Sequence, residues 1–233
     1  MRFPRRSQSA DPATTRKGAD KADYDAYGTS DIRLRLFAEA LRMFDTGSLI
    51  DLGAGHCKFS LLAHELGWRT TALDARTERR PELPDGIRYI HAEVESNEWN
   101  PADHDVIVCL GLYYHLDQAA QFALLERIQG RALILDTHWA TTDGSGWFTL
   151  SGQLTGLARM GDEDGAWFAE AIGRTEAERK QSALLASYGN DRSWWATLPS
   201  LQATLRRFGY ESQWIAAHPY TGAQRSFIIA LPG

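Results

Sequence analysis

Residues 48–67, SLIDLGAGHCKFSLLAHELG, constrain this chain more than any other stretch: a short apolar run meets two glycines, and a helix-period pattern starts at once. Phe59, Leu62, Ala63 and Leu66 fall on one helical face, and Gly67 is a good stop. Strand, tight turn and helix in that order form a βα unit. Gly53 and Gly55 let the main chain turn sharply and leave no Cβ between the backbone and a ligand. A dinucleotide fingerprint would need a third glycine where Lys58 stands, so the spacing here, Asp51-x-Gly53-x-Gly55-x-Cys57, is a different one.

The following segment, WRTTALDAR over residues 68–76, reads as a second strand ending in Asp74. An acid about 20 positions past the glycine turn, at the tip of the next strand, accepts hydrogen bonds from a ribose diol. Glycine turn and acid together point to a nucleoside site.

Two cysteines 52 residues apart, Cys57 and Cys109, make neither a disulfide framework nor a zinc site, so no metal is expected and the cytoplasm is the default location. At 233 residues one α/β domain is expected, here over residues 28–233, behind a flexible arm or lid over residues 1–27. No apolar run approaches the ~18 residues that would span a bilayer, and the N-terminus carries no apolar segment of the secretory kind. A soluble protein with no membrane partner follows. The net charge of −5 argues against nucleic acid as a partner. The exception is a basic cluster of Arg2, Arg5, Arg6, Arg16, Lys17 and Lys21, read as solvated charge.

Leu34, Phe37, Leu41 and Phe44 recur at helical spacing before the first strand, and Tyr24 and Tyr27 just ahead of them could fold over a site as a lid. Further strands are expected at residues 86–94, 105–111 and 131–136, with a helix capped by Asp117 before the last of these. Alternating strands and helices give a doubly wound parallel sheet. From about residue 139 to 198 the rhythm changes. This stretch holds five of the eight tryptophans, an acidic run at Asp162, Glu163 and Asp164, and no clear period-2 segment, so it reads as a largely helical cap insertion. A helix capped by Ser200 and two strands, over residues 210–217 and 225–231, close the chain.

The Asp51-x-Gly53-x-Gly55 turn with Asp74 resembles motif I and its partner acid in class I S-adenosylmethionine-dependent methyltransferases of the small-molecule type, with Cys57 where a third glycine is common. The segment CLGLYYHL, residues 109–116, resembles an "LGLLYH" stretch of a subgroup that includes small-molecule enzymes and tRNA wobble-uridine modifying enzymes. GNDRSWWATLPSL, residues 189–201, resembles an "N-x-x-S-F-W-x-T-x-x-S-L" stretch of related enzymes. The resemblance implies a seven-stranded, mostly parallel Rossmann-like sheet and S-adenosyl-L-methionine as cofactor. It implies that Asp51, Gly53, Ala54, Gly55, Asp74, Ala75, Glu93, Val94, Leu110 and Gly111 form the cofactor site, with Glu93 toward the adenine amino group.

Strand tips are where an open α/β sheet binds its ligands. His115 and His138 both fall there and are the candidate bases, because imidazole titrates near neutrality. Tyr114, Trp139 and Trp194 are the candidate substrate contacts, Trp194 among the aromatics that could wall an apolar pocket. The expected reaction is methyl transfer to an oxygen or nitrogen of a small organic molecule, a specialised metabolite, and a homodimer is compatible with the sequence. Two alternatives stay open: another reaction of the same cofactor, such as its cyclisation or a rearrangement it assists, or methylation of tRNA.

Overall fold

Successive residues of a strand point to opposite faces, so a strand as apolar as Leu49 and Ile50 needs cover on both sides of its sheet. The computed structural model, which describes residues 31–142, 152–170, 173, 175–182, 187–217 and 224–233, provides that cover. The elements run α1 (Asp31–Leu41), β1 (Ser48–Leu52), α2 (Lys58–Glu65), β2 (Arg69–Asp74), β3 (Ile87–His91), β4 (Val106–Leu110), α3 (Gln118–Arg127) and β5 (Ala132–His138). Then come β6 (Ala158–Met160), β7 (Glu163–Ala169), α4 (Glu176–Ser182), β8 (Arg192–Ala196), α5 (Leu198–Arg207), β9 (Tyr210–Ala217) and β10 (Arg225–Pro232).

Seven strands form one sheet in the order β3-β2-β1-β4-β5-β10-β9, parallel except for β10, which runs antiparallel to both β5 and β9. On one face Leu34 and Phe37 of α1 and Phe59 and Leu62 of α2 pack on Leu49, Val108 and Ile134. On the other, Leu124 and Leu125 of α3 and Leu201 and Leu205 of α5 pack on Ile50, Ile107 and Leu133. The doubly wound, mostly parallel fold expected from the sequence is therefore present. No helix among the described residues is long and apolar enough to cross a membrane.

The insertion departs from its expected helical character. It carries a three-stranded antiparallel sheet, β6-β7-β8, and its one described helix, α4, has seven residues. The strand signal was hidden by burial on both faces. In β8, Trp194 turns into the main core while Trp195 packs with Phe168 and Ala166 of the insertion, so both faces carry large apolar residues and the alternation that gives a period of two is lost. The close approach of β7 and β8 depends on Gly165, where a Cβ would lie 2.5 Å from the Trp194 ring and 2.6 Å from the Trp195 carbonyl. The helix after the insertion also starts earlier than expected. Thr197 is the cap of α5, its hydroxyl accepting from the Ser200 N–H, with Pro199 in the first turn.

Candidate active site

The strand order reverses between β1 and β4, and the carboxyl ends of β1, β2, β3 and β4 open there into a cleft of about 410 Å³. Gly53, at φ +70°, and Gly55, at φ +52°, make the turn above β1. The Gly53 and Ala54 N–H groups donate to the Leu73 carbonyl at 2.8 and 3.0 Å, which ties the turn to the end of β2. A Cβ at Gly53 would come within 2.9 Å of the Leu112 Cβ, whereas at Gly55 nothing lies closer than the Arg79 Nη1 at 4.0 Å. The first glycine closes the packing and the second faces open space. Asp74 accepts the Gly55 N–H at 2.7 Å with one carboxylate oxygen and the Arg76 N–H at 2.8 Å with the other.

Of the ten residues expected around a cofactor, Gly53, Ala54, Gly55, Asp74, Ala75, Glu93, Val94, Leu110 and Gly111 line this one cleft. Asp51 lies beneath it. It is buried at the end of β1 and accepts the Ser60 hydroxyl at 2.7 Å, and burial raises its pKa to about 6. Both thiols, Cys57 and Cys109, are buried and pushed up to about 12, so they stay protonated.

Tyr113–His115 form a single 3-10 turn after β4, and the insertion and α3 together fasten its carbonyls and that of Leu116. The Asn190 side-chain amide donates to the His115 carbonyl at 3.0 Å, the Trp195 indole to the Tyr114 carbonyl at 2.9 Å, and the Trp194 N–H to the Leu116 carbonyl at 3.1 Å. Gln121 reaches the carbonyls of Tyr113, Leu116 and Trp194. The His115 imidazole meets Glu170, with Nδ1 at 2.9 Å from both carboxylate oxygens. Glu170 is itself buried and also accepts the Ser193 hydroxyl at 2.7 Å and the Ser187 N–H at 2.9 Å. A carboxylate in that position accepts, so Nδ1 is the nitrogen that donates to it. The stretch from Asn190 to Ser200 thus has a physical role: its Asn, Ser and Trp hold the turn and its Thr caps α5.

His138 stands in different surroundings. Its Nδ1 lies 3.1 Å from the Gln224 carbonyl and its Nε2 3.3 Å from the Arg225 Nη1, and its ring stacks on Trp195 at 4.7 Å. Burial, then the neighbouring Arg225 charge, lowers its pKa to about 3. The imidazole is neutral with both nitrogens engaged, an arrangement that holds structure and leaves no lone pair for a substrate proton. Trp194 is 0% exposed in the main core, its indole donating to Glu163 at 2.9 Å, and Trp139 donates to the Ser226 hydroxyl at 3.0 Å. Neither is among the residues lining the cleft, whereas Tyr114 and His115 are. Tyr24, Tyr27 and the basic cluster lie outside the described residues.

Two arginines lining the cleft and the acid beneath them form a cluster whose pairing had no signal in the sequence. Asp136 is fully buried at the end of β5 and binds two guanidiniums: Arg225 through Nε at 2.6 Å and Nη2 at 3.0 Å, and Arg33 through Nε at 2.6 Å. Arg33 Nη2 also donates to the Leu110 carbonyl at 3.0 Å. Burial works against the Arg225 charge, but Tyr114 and Asp136 beside it more than offset that and hold it protonated. A buried acid at a strand tip demands a cation, yet partners 103 and 89 residues away cannot be picked out by spacing.

No protein-family model and no curated protein matches the chain. Among solved structures it resembles the N-terminal domain of EvdMO1 with S-adenosylhomocysteine bound, at 20% identity over 93% of this chain and 82% of that one, with a TM-score of 0.63. It also resembles 1,6-didemethyltoxoflavin-N1-methyltransferase of Burkholderia thailandensis, with 1,6-didemethyltoxoflavin and S-adenosylhomocysteine bound, at 16% identity over 92% and 91% of the two chains (TM-score 0.56). The glycopeptide N-methyltransferase MtfA, complexed with S-adenosylhomocysteine, aligns at 13% identity over 86% and 87% (TM-score 0.53). The fold of this chain is that of the class I S-adenosylmethionine-dependent methyltransferases.

Proposed function

We propose that this protein is an S-adenosylmethionine-dependent methyltransferase acting on an oxygen or nitrogen nucleophile of a small organic molecule. The observation that carries the reading is the shared cleft, which joins the glycine turn and Asp74 at one end to His115, backed by Glu170, at the other. Methyltransferases of the same fold bind S-adenosylhomocysteine, which supports the choice of cofactor.

The residues present suit that cofactor. Gly55 offers backbone with no side chain at an open cleft wall, Asp74 presents carboxylate oxygens for ribose hydroxyls, and Ala92 and Val94 give an apolar surface beside Glu93 for the adenine. Leu110 and Gly111 line the way toward Tyr114 and His115. Bound S-adenosylmethionine supplies a methyl group on a sulfonium, already activated for displacement. The protein's part is to bring a nucleophile into line, which can account for much of the rate, and to take its proton. His115 takes that proton at Nε2, and Glu170, hydrogen-bonded to Nδ1, fixes the ring and stabilises the imidazolium that forms.

The test is product analysis by mass spectrometry after incubation with S-adenosylmethionine and a metabolite panel. Methyl transfer yields an acceptor heavier by one methyl together with S-adenosylhomocysteine. Methylthioadenosine formed without any acceptor would replace this reading with chemistry on the cofactor itself.

A further inference from the structure

The wall of the cleft is cationic in an acidic protein. Among the described residues, five arginine and lysine side chains line it against three carboxylates, while the whole chain carries −5. Asp136, beneath the wall, is the fourth carboxylate. S-adenosylmethionine, with a sulfonium, an ammonium and a carboxylate, would add a further net positive charge.

The donors converge at one place. A Cβ built on Gly111, which has φ +121°, would lie 3.7 Å from the Arg33 Nη2, 3.8 Å from the Arg225 Nη2 and 3.8 Å from the Tyr114 hydroxyl. Glycine leaves that space open, and all four residues line the cleft. The two guanidiniums carry ten N–H donors between them; three go to Asp136, one to the Leu110 carbonyl and one toward His138 Nε2, and each Nη2 has a second N–H beyond the bond given for it. The Arg225 guanidinium lies 5.3 Å from the centre of the Tyr114 ring. The Tyr114 hydroxyl at that place is an O–H donor suited to an anion. His115 is the next residue on the same turn, its ring 4.3 Å from that of Tyr114.

We propose that Arg225, Tyr114 and Arg33 form a carboxylate-binding pocket beside Gly111, and that the methyl acceptor is a small organic acid held there by its carboxylate. Planar forks and a phenol hydroxyl suit a planar, two-oxygen anion. Anchored at Tyr114, the acid presents its hydroxyl or amine to the neighbouring His115. The word acceptor rests on the methyl-transfer reading, whereas the pocket does not. A carboxylate could come from two sources, the acceptor or the amino-acid end of the cofactor, and the adjacency to His115 assigns this one to the acceptor.

The experiment is a calorimetric titration of the full chain, with and without S-adenosylhomocysteine, using benzoate and its neutral isostere benzamide as probes. The same titrations are run on Tyr114→Phe, which keeps the ring, and on Arg225→Lys, which keeps the charge. Benzoate should bind the wild type more tightly than benzamide by about tenfold or more, the worth of one charge-assisted hydrogen bond, and the preference should fall in both variants. Their affinity for S-adenosylhomocysteine should change by less than about tenfold. Equal binding of benzoate and benzamide by the wild type overturns the pocket. A larger loss of S-adenosylhomocysteine affinity in the variants, with affinity for methylthioadenosine unchanged, overturns the assignment to the acceptor, since methylthioadenosine lacks the carboxylate. Benzoate preference in a protein that fails to bind S-adenosylhomocysteine supports the pocket and removes the methyl-transfer reading instead.

Discussion

His115 gives its Nδ1 to a buried carboxylate, while His138 has one nitrogen against a backbone carbonyl and the other against a guanidinium. These surroundings set two testable differences. Replacing His115 with Asn should lower turnover by ~10²–10⁴-fold while S-adenosylhomocysteine affinity holds, and Glu170→Gln, which leaves the imidazole in place but unsupported, should lose less. A loss under about tenfold for His115→Asn would mean that positioning alone drives the transfer. His138 instead governs acid stability. Its pKa falls from an ordinary 6.5 to about 3 on folding, so the folded state favours the neutral ring. The stability it contributes is present above pH 6.5 and is lost as pH falls toward 3, by roughly 1.4 kcal/mol for each unit of separation. His138→Gln should therefore show a shallower loss of urea midpoint between about pH 6 and 4 than the wild type. Asp51 titrates in both proteins and cancels from the comparison. Parallel slopes would contradict the neutral, engaged ring.

The β6-β7-β8 sheet and the Tyr113–His115 turn behave as one clamped unit, because Asn190, Trp194 and Trp195 hold the turn's carbonyls from β8 and the loop before it. Gly165 sets the closeness of β7 and β8, so Gly165→Ala should destabilise the protein by ~1–3 kcal/mol through overpacking against Trp194 and lower turnover as well, because the turn that carries His115 would shift. Lost stability with unchanged turnover would separate the sheet from the site. This element is also where the sequence was least legible. The βα unit at residues 48–67 could be read because glycine spacing and helical period are local, and Asp117 as a cap because capping spans three residues. β8 could not, since burial on both faces erased its alternation. Glu170 lies 55 residues from His115, and Arg225 lies 89 from Asp136, so each partnership exists only once the sheet order is known.

Across the whole molecule, the sheet reversal between β1 and β4 brings the glycine turn and the His115 turn to the two sides of one cleft, and the insertion closes over the same edge. On the proposed function, donor and acceptor would meet within this one cleft while held by different elements. The cofactor half of this account rests on Gly55 and Asp74. Asp74→Ala should cost about 1.5–3 kcal/mol of S-adenosylhomocysteine affinity, the range for a hydrogen bond to a charged group. The most direct measurement is calorimetric titration of the full chain with S-adenosylhomocysteine, alongside Gly55→Val, which places a branched side chain at the open wall of the cleft and is shown to be folded by circular dichroism. One molecule should bind each wild-type chain, and none should bind the variant. A wild type that binds no S-adenosylhomocysteine, or a folded Gly55→Val that binds it equally well, would contradict a cofactor seated on the glycine turn.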